Sequence, residues 1–188
     1  MKGALWCDGG VTAPASYQVA AEQTAGGSTF AGIVLLLATM TTGITTGVFF
    51  LYANTIMPGL GKTDDRTFVG AFQQIDRAII NPVWMAFFFG ALILTGLAGA
   101  LHLGAAGRTL LPWIAIAFVA YLIVVIITIA VNVPLNDAIK AAGDPDSIDL
   151  AKVREDFHAG RWEAFNWIRV VLNLGAFALL CVALLRRR

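Results

Sequence analysis

Four long apolar stretches, separated by polar connections, dominate the hydrophobic pattern of the chain. They cover residues 30–53, 83–105, 110–131 and 164–185. Each is close to or longer than the roughly 20 residues that a helix needs to cross the hydrocarbon core of a bilayer. The pattern therefore predicts an all-α fold. It is an integral membrane four-helix up-and-down bundle that forms one domain over residues 30–188.

The polar segments outside the spans predict a tail, two additional helices and a turn. Residues 1–29 are rich in Gly, Ala, Ser and Thr and lack a continuous apolar run, which predicts a flexible tail rather than a signal peptide. In the connection over 58–81, "DDRTFVGAFQQIDRAI" has helical spacing of its apolar residues. In the connection over 137–163, Asp146 or Ser147 is placed to cap a short helix. "GAAGRT" predicts a tight turn between the second and third spans.

An up-and-down bundle places both long connections at one membrane face, called here the loop side. The N-terminal tail, Arg108 and the terminal "RRR" then lie at the opposite face, called the tail side. The loop side carries seven Lys and Arg and the tail side five, but three of those five adjoin the last span. Because cations next to a span weigh most, the sequence predicts a plasma-membrane protein with both termini in the cytoplasm.

Composition agrees with a membrane protein and excludes several classes of site. The chain is 58% hydrophobic and 13% charged, whereas soluble domains are about 25% charged. A net charge of +1 and the lack of Lys/Arg runs predict no nucleic-acid partner. Cys7 and Cys181 stand alone at opposite ends, and the two histidines, His102 and His158, are far apart. We therefore predict no disulfide framework and no bound metal.

Two small-xxx-small patterns, Gly43-x-x-x-Gly47 and Gly96-x-x-x-Ala100, permit close helix approach. They serve packing within the bundle or, alternatively, a homo-oligomer.

Amide side chains at the loop-side end of the third span raise the question of function. In "VNVPLN", Asn132 and Asn136 follow Thr128 at a spacing of four, on one face if the helix continues. Pro134 is expected to bend the helix there, because it removes a donor and disfavours helix at Val133. One interpretation is that an asparagine caps the broken helix, and the other is that both belong to a polar site.

The fourth span strengthens the second interpretation. Trp162, Asn166, Arg169 and Asn173 fall on a single stripe, and Arg169 lies roughly 7 Å inside the span. A guanidinium at that depth costs a few kcal/mol unless it snorkels or finds a partner. It therefore indicates either a snorkelling arginine or a functional site.

Every span contributes a polar group to the loop side, which predicts a pocket there with Arg169 at its floor. The other contributors are Asn54, Asn81, Gln73 and Asp76. Asp76 or Glu163 would balance the arginine. His158, just before the fourth span, is either a general base or a solvated loop histidine.

The stretches "NTIMPGL", "FQQIDRAIINP", "NVPLN" and "RWEAFNWIR" together resemble the pattern of the anthrone oxygenase family. The resemblance covers roughly residues 33–183. The chain carries Asp76 where the family pattern commonly has Asn. The resemblance implies oxidation of an anthrone to an anthraquinone in polyketide pathways, with dioxygen as co-substrate and no cofactor.

Such chemistry would require a base, oxyanion stabilisation, peroxide donors and a slot for a hydrophobic aromatic substrate. His158 or Asp76 would take the proton, and Arg169 would stabilise the enolate. The remaining residues form three sets. The donors are Asn132, Asn136 and Asn166, the stacking rings are Trp162, Phe165 and Trp167, and the residues that line the site are Asn54, Asn81 and Gln73. The alternatives are a non-catalytic subunit of a larger membrane complex and a small-metabolite carrier.

Overall fold

The computed structural model describes residues 15–187, with side chains from residue 29 onward except at Ala106. This part of the chain is helical and contains no strand. The α-helices are, in order, α1 (Ala15–Leu51), α2 (Met57–Leu60), α3 (Asp65–Ile79), α4 (Pro82–Leu101), α5 (Leu111–Ile127), α6 (Val133–Ala141), α7 (Leu150–Asp156) and α8 (Ala159–Arg186). A 3₁₀ turn at Ala105–Gly107 forms the tight connection predicted from "GAAGRT".

Four helical segments are long and apolar enough to cross a membrane: Thr29–Leu60, Pro82–Leu101, Leu111–Ala141 and Leu150–Arg186. In the bundle, α1 packs against α4 and α8, and α5 packs against the same two helices. The four long helices thus form a closed ring, which confirms the predicted all-α membrane bundle. The predicted boundary at residue 30, between an N-terminal tail and the membrane domain, stays a prediction. Helix α1 begins before it, at Ala15, and residues 1–14 lie outside the described residues.

The core is layered along the bundle axis. On the tail side, small residues and leucines fill the ring, among them Leu35, Ala98, Ile114 and Leu180. The middle layer is more aromatic and includes Phe49, Phe88 and Tyr121. The loop-side layer joins the four helices to the connections through Met57, Phe68, Phe72, Phe157 and Trp162. Bulky rings therefore concentrate towards the loop side.

The connection helices form a cap over the loop side. Asp64 caps α3 and accepts hydrogen bonds from the Thr67 amide at 3.0 Å and the Thr67 hydroxyl at 2.7 Å. Gln73 of α3 donates from Nε2 to the carbonyls of Ile139 at 2.8 Å and Gly143 at 3.0 Å, which fastens α3 to the end of α6. These bonds between distant parts of the chain hold the cap to the bundle.

The cap of α7 differs from the prediction. Asp149, rather than Asp146 or Ser147, accepts the hydrogen bond from the Lys152 amide. Asp146 and Ser147 belong instead to a turn organised by Asp144, whose side chain and carbonyl accept their amides. Because that turn already uses these residues, the helix begins later.

The third span does not break at "VNVPLN". Residues Thr128–Asn132 form a π-helical turn in which the Val133 amide donates to the Thr128 carbonyl, and α6 continues through Pro134. Neither amide caps the helix, because Asn132 and Asn136 donate to groups on other helices. The predicted end of this helix at residue 131 and the capping interpretation are therefore wrong. Helix α1 widens in the same way at Tyr52–Ile56, just before Pro58.

The glycines of the small-xxx-small patterns meet neighbours within the chain at two positions. A Cβ added at Gly43 would lie 2.9 Å from the Phe177 ring, and one at Gly96 would lie 3.1 Å from the Phe118 ring. Gly47, by contrast, faces open space. The first two glycines therefore serve packing inside the bundle. A homo-oligomer stays a prediction.

Candidate functional site

A cavity of about 230 Å³ lies at the loop side, between the four long helices and beneath α3. Its wall is mostly apolar and aromatic. Phe49, Trp84 and Phe88 form one aromatic cluster, with ring centroids 6.0 to 6.4 Å apart. Phe72, Tyr52 and Trp162 complete the wall on the cap side. Such a surface suits a flat aromatic molecule.

Arg169 of α8 lines this cavity although its side chain is 4% exposed. It donates to the Asn166 Oδ1 at 2.8 Å and to the Thr128 hydroxyl at 3.1 Å. Its guanidinium also lies 4.5 Å from the centroid of the Phe49 ring. Its Nε is buried and has no acceptor. The charge is therefore held by amide, hydroxyl and π-electrons.

No carboxylate of the described residues pairs with Arg169. Asp76, which was expected to balance it, forms an ion pair with Lys140 at 2.7 Å. Glu163 is half-buried and does not line the cavity. The expectation of a carboxylate partner is therefore wrong. The cavity therefore contains a cation without a counter-charge. Burying such a cation is costly because it loses its hydration.

A hydrogen-bonded chain crosses the cavity from α3 through α6 to α8. The Asn136 amide donates to Asp76 Oδ1 at 2.7 Å, and the Trp162 indole N–H donates to Asn136 Oδ1 at 2.7 Å. Lys140 joins this chain through Asp76 and also pairs with Asp137 at 3.0 Å. The chain ends at Trp162, whose ring centroid lies 5.5 Å from the Arg169 guanidinium. The cavity therefore contains both an unpaired cation and an ion-paired carboxylate.

The structure brings five of the predicted site residues to the cavity: Arg169, Asn136, Asn166, Asp76 and Trp162. Two more lie behind its wall. Asn132 is 1% exposed and donates to the Trp162 carbonyl at 3.2 Å, and Gln73 fastens the cap as described above. These two position other residues and do not face the cavity.

The remaining five lie away from the cavity: His158, Asn54, Asn81, Phe165 and Trp167. His158 is exposed and precedes α8 in a left-handed conformation with φ 51°. Asn54 is exposed, and Asn81 caps α4 by accepting from the Trp84 amide at 3.0 Å. Trp167 is 43% exposed on the outer surface of α8, and Phe165 is half-buried elsewhere.

Sequence reasoning missed Lys140, Tyr52 and the Phe49–Trp84–Phe88 cluster. Lys140 continues the spacing of four from Asn132 and Asn136, and this signal was available. The predicted end of the third span at residue 131 instead places Lys140 in the connection. The aromatic residues gave no periodic signal, because helices within a bilayer are apolar on every side.

The polar groups of the cavity are suited to protons and oxyanions rather than to a metal. Among the side chains that the structure describes, from residue 29 onward, no group of three His, Cys, Asp or Glu is placed to hold a metal ion. The cavity lining offers two carboxylates, an ammonium, a guanidinium, two amides, two indole N–H groups and two hydroxyls. Acid–base chemistry and stabilisation of a negatively charged oxygen are within reach of such a set.

Comparison with known proteins places this chain in a family. No curated protein and no solved structure matches it significantly. The family model of anthrone oxygenase matches residues 84–179, just over half of the 188 residues. The match contains "NVPLN" and "RWEAFNWIR", and with them Arg169, Asn136 and Trp162 of the cavity, while "NTIMPGL" and "FQQIDRAIINP" both precede it. The chain thus belongs to the anthrone oxygenase family.

Proposed function

We propose that this protein is a membrane-embedded oxygenase that oxidises a hydrophobic, polyketide-type aromatic ketone with dioxygen, as in the conversion of an anthrone to an anthraquinone. The proposal includes a location in the plasma membrane with both termini in the cytoplasm. It also includes the absence of a resident cofactor. Family membership supports an oxygenase-type activity, and the arrangement of the cavity supports the class of substrate.

The observation that carries the proposal is the buried cation in an aromatic cavity. Arg169 has two side-chain acceptors for its five N–H donors, and its Nε has none. A cation kept in this state is prepared for an anionic oxygen that arrives with a ligand. The rings of Phe49, Trp84 and Phe88 would hold the planar body of that ligand.

The reaction needs no external electron donor. Loss of a proton from the methylene gives a carbanion that is delocalised over the ketone and the rings. Electron transfer to dioxygen and recombination form a carbon–oxygen bond and a hydroperoxide. Loss of water from the hydroperoxide then leaves the new carbonyl. One oxygen atom enters the product, the other leaves as water, and the methylene supplies all four electrons.

Each step has a side chain to serve it. Asp76, which lines the cavity with Arg169, would accept the proton. Arg169 would stabilise the enolate oxygen, with Asn166 and Thr128 orienting the guanidinium. Asn136, which joins Asp76 to Trp162, would set the direction of the carboxylate. Asp76 would return its proton to the peroxide, and it would then remove the second methylene proton as the O–O bond breaks. That proton and the departing hydroxide form the water.

The direct test is incubation of purified, chelator-treated protein with anthrone under air and under nitrogen. Quinone absorbance is followed against heat-inactivated protein, because anthrones oxidise slowly by themselves. Dioxygen-dependent acceleration that survives chelation supports the proposal. A rate equal to that of the heat-inactivated control rejects an anthrone as substrate.

The same observations weigh against the other two functions. A non-catalytic subunit that used its polar groups to lock helices would not need a ligand-sized cavity beside Arg169. A carrier needs a polar path to the opposite face. Here the tail-side layer is packed with apolar residues such as Leu35, Ala98 and Leu180, each buried completely.

A further inference from the structure

The way into the cavity is a separate question from the reaction, because the cap closes the loop side. Arg154 of α7 donates to the carbonyls of Gly61 at 3.0 Å and Thr63 at 2.8 Å, and its ion pair with Asp65 measures 2.9 Å. Gln73 fastens α3 to the end of α6. These two sets of interactions between distant parts of the chain hold the cap closed towards water.

The cap is also sealed by rings. Phe72 and Phe157 lie 4.6 Å apart between ring centroids, and Phe68 lies 5.8 Å from Phe157. All three are at most 2% exposed. Separating them would expose a compact apolar cluster to water, which is unfavourable.

The cavity is open instead on its side, between α4 and the α5–α6 segment. Four of its lining residues are exposed and apolar, two on each edge: Ile80 and Phe89 on one, Ile129 and Val133 on the other, with exposures of 58, 43, 58 and 38%. We call this opening the slot. Its edges lie within or next to two membrane-spanning segments, so it faces lipid.

The slot has defined ends. On the tail side, α4 and α5 are in direct contact, since the Tyr121 hydroxyl donates to the Phe88 carbonyl at 2.8 Å and Gly96 meets Phe118. At the loop-side end stand Lys140 and the exposed Asp137. The opening is therefore apolar along its length and cationic or acidic only at its outer end.

We infer that a flat aromatic molecule dissolved in the bilayer passes sideways through the slot into the cavity. The inference rests on the proposed function in taking this molecule to be the substrate. A planar ring system matches an apolar opening between two helices, and a polar oxygen at its edge would pass Lys140. Phe89 and Ile129 control the width of the passage and thereby the size of the substrate.

The test measures passage without turnover. Anthracene, a three-ring hydrocarbon with no ketone to activate, is presented in phosphatidylcholine vesicles to protein in the same lipid. Stopped-flow records its own fluorescence as it binds. Ile129→Trp is expected to slow association about tenfold while the equilibrium affinity changes much less, since a narrowed passage slows both directions. Phe89→Ala is expected to accelerate association.

Two variants serve as controls. Ile126→Trp puts the same bulk on the same helix at a residue that is 54% exposed and outside the cavity, and it should bind like wild type. Gln73→Ala loosens the cap. Faster association in Gln73→Ala, combined with wild-type rates in Ile129→Trp and Phe89→Ala, would overturn the inference in favour of passage from water.

The outcome is independent of the oxidation assay. Slot variants that alter anthracene association in a protein that does not oxidise anthrone would keep the passage and reject the proposed reaction. If the protein oxidises anthrone while both slot variants bind anthracene at the wild-type rate, the proposed reaction is kept and passage through the slot is rejected.

Discussion

Replacing Arg169 by methionine separates its catalytic contribution from its structural one. We expect a large decrease in kcat and only a small change in the free energy of unfolding. The substitution removes a charge that is 4% exposed and has no carboxylate partner. Burial of such a charge costs several kcal/mol. Removing the charge therefore stabilises the folded state by a similar amount. Methionine fills a similar volume and leaves the aromatic wall in place.

Opposing this gain is the loss of the interactions of Arg169. Two hydrogen bonds from a charged donor are worth about 1.5–3 kcal/mol each. The contact with Phe49, at 4.5 Å from the ring centroid, adds about 0.5–2 kcal/mol. The sum is similar in size to the desolvation cost of the charge. We therefore expect the free energy of unfolding to change by no more than about 2 kcal/mol.

Activity is expected to respond far more strongly. If Arg169 stabilises the enolate oxygen, its loss should lower kcat by about 100- to 1000-fold, as for removal of other oxyanion donors. Arg169→Lys keeps the charge but cannot bond to Asn166 and Thr128 together, so an intermediate kcat is expected. The assay is initial quinone formation under air, with unfolding followed in parallel by circular dichroism in the same detergent.

Arg154→Met is the matched control, because Arg154 is an arginine of the cap that does not line the cavity. It binds two carbonyls of the connection before α3 and the Asp65 carboxylate at the start of α3. Its loss should lower the melting temperature and leave kcat near wild type. The reasoning about Arg169 is refuted if its methionine variant keeps kcat within about threefold of wild type while losing more stability than Arg154→Met.

Three further substitutions address other parts of the site. Asp76→Asn should lower kcat by about 100-fold, whereas Asp137→Asn, at the other carboxylate paired with Lys140, should not; a wild-type kcat in Asp76→Asn would show that the Asp76 carboxylate is not the base. His158→Gly should leave quinone formation unchanged. It should raise the free energy of unfolding by about 1 kcal/mol, because the φ of 51° is strained for histidine. A loss of activity would instead show that the reaction needs His158. Gln73→Ala should lower the free energy of unfolding by about 1–3 kcal/mol through its two lost hydrogen bonds, with kcat near wild type well below the melting temperature, and unchanged stability in denaturation would show that the cap is held elsewhere.

The part of the site carried by α8 was predictable because that helix is regular. The stripe of Trp162, Asn166, Arg169 and Asn173 follows directly from 3.6 residues per turn, and all four side chains are at most 4% exposed. Trp167 was assigned to the site for its ring alone. It follows Asn166 by one position, about 100° around the helix, so the stripe itself already placed it on another face.

The contribution of the first and third spans was harder to predict because the register of both helices changes within the site. Each of the two apolar runs is followed within a few residues by a proline, Pro58 or Pro134, which suggests that the helix ends there as well. Lys140 was therefore counted among the loop cations. Tyr52 was not noticed as a site residue because the wide turn that begins there leaves no signature in the hydrophobic pattern. Where a helix changes its register, the spacing of residues no longer reports their direction.

The two wide turns explain why the site lies where it does. A break in the helix would leave backbone groups unsatisfied near lipid, so widening the turn is the less costly response to a proline. In both places the residue before the proline closes the turn: Met57 donates to Tyr52 and Val133 to Thr128. Proline follows at the next position, where it has no N–H to donate in either register.

The widening also redirects side chains towards the cavity. Thr128 and Asn136 are eight positions apart, and in an uninterrupted α-helix they would point about 80° apart. A π turn absorbs one extra residue, so the difference falls to about 20°. Both side chains consequently line the cavity, where Thr128 accepts from Arg169 and Asn136 donates to Asp76. The proline that seemed to end the span is thus what aligns these two residues of the site on one helix.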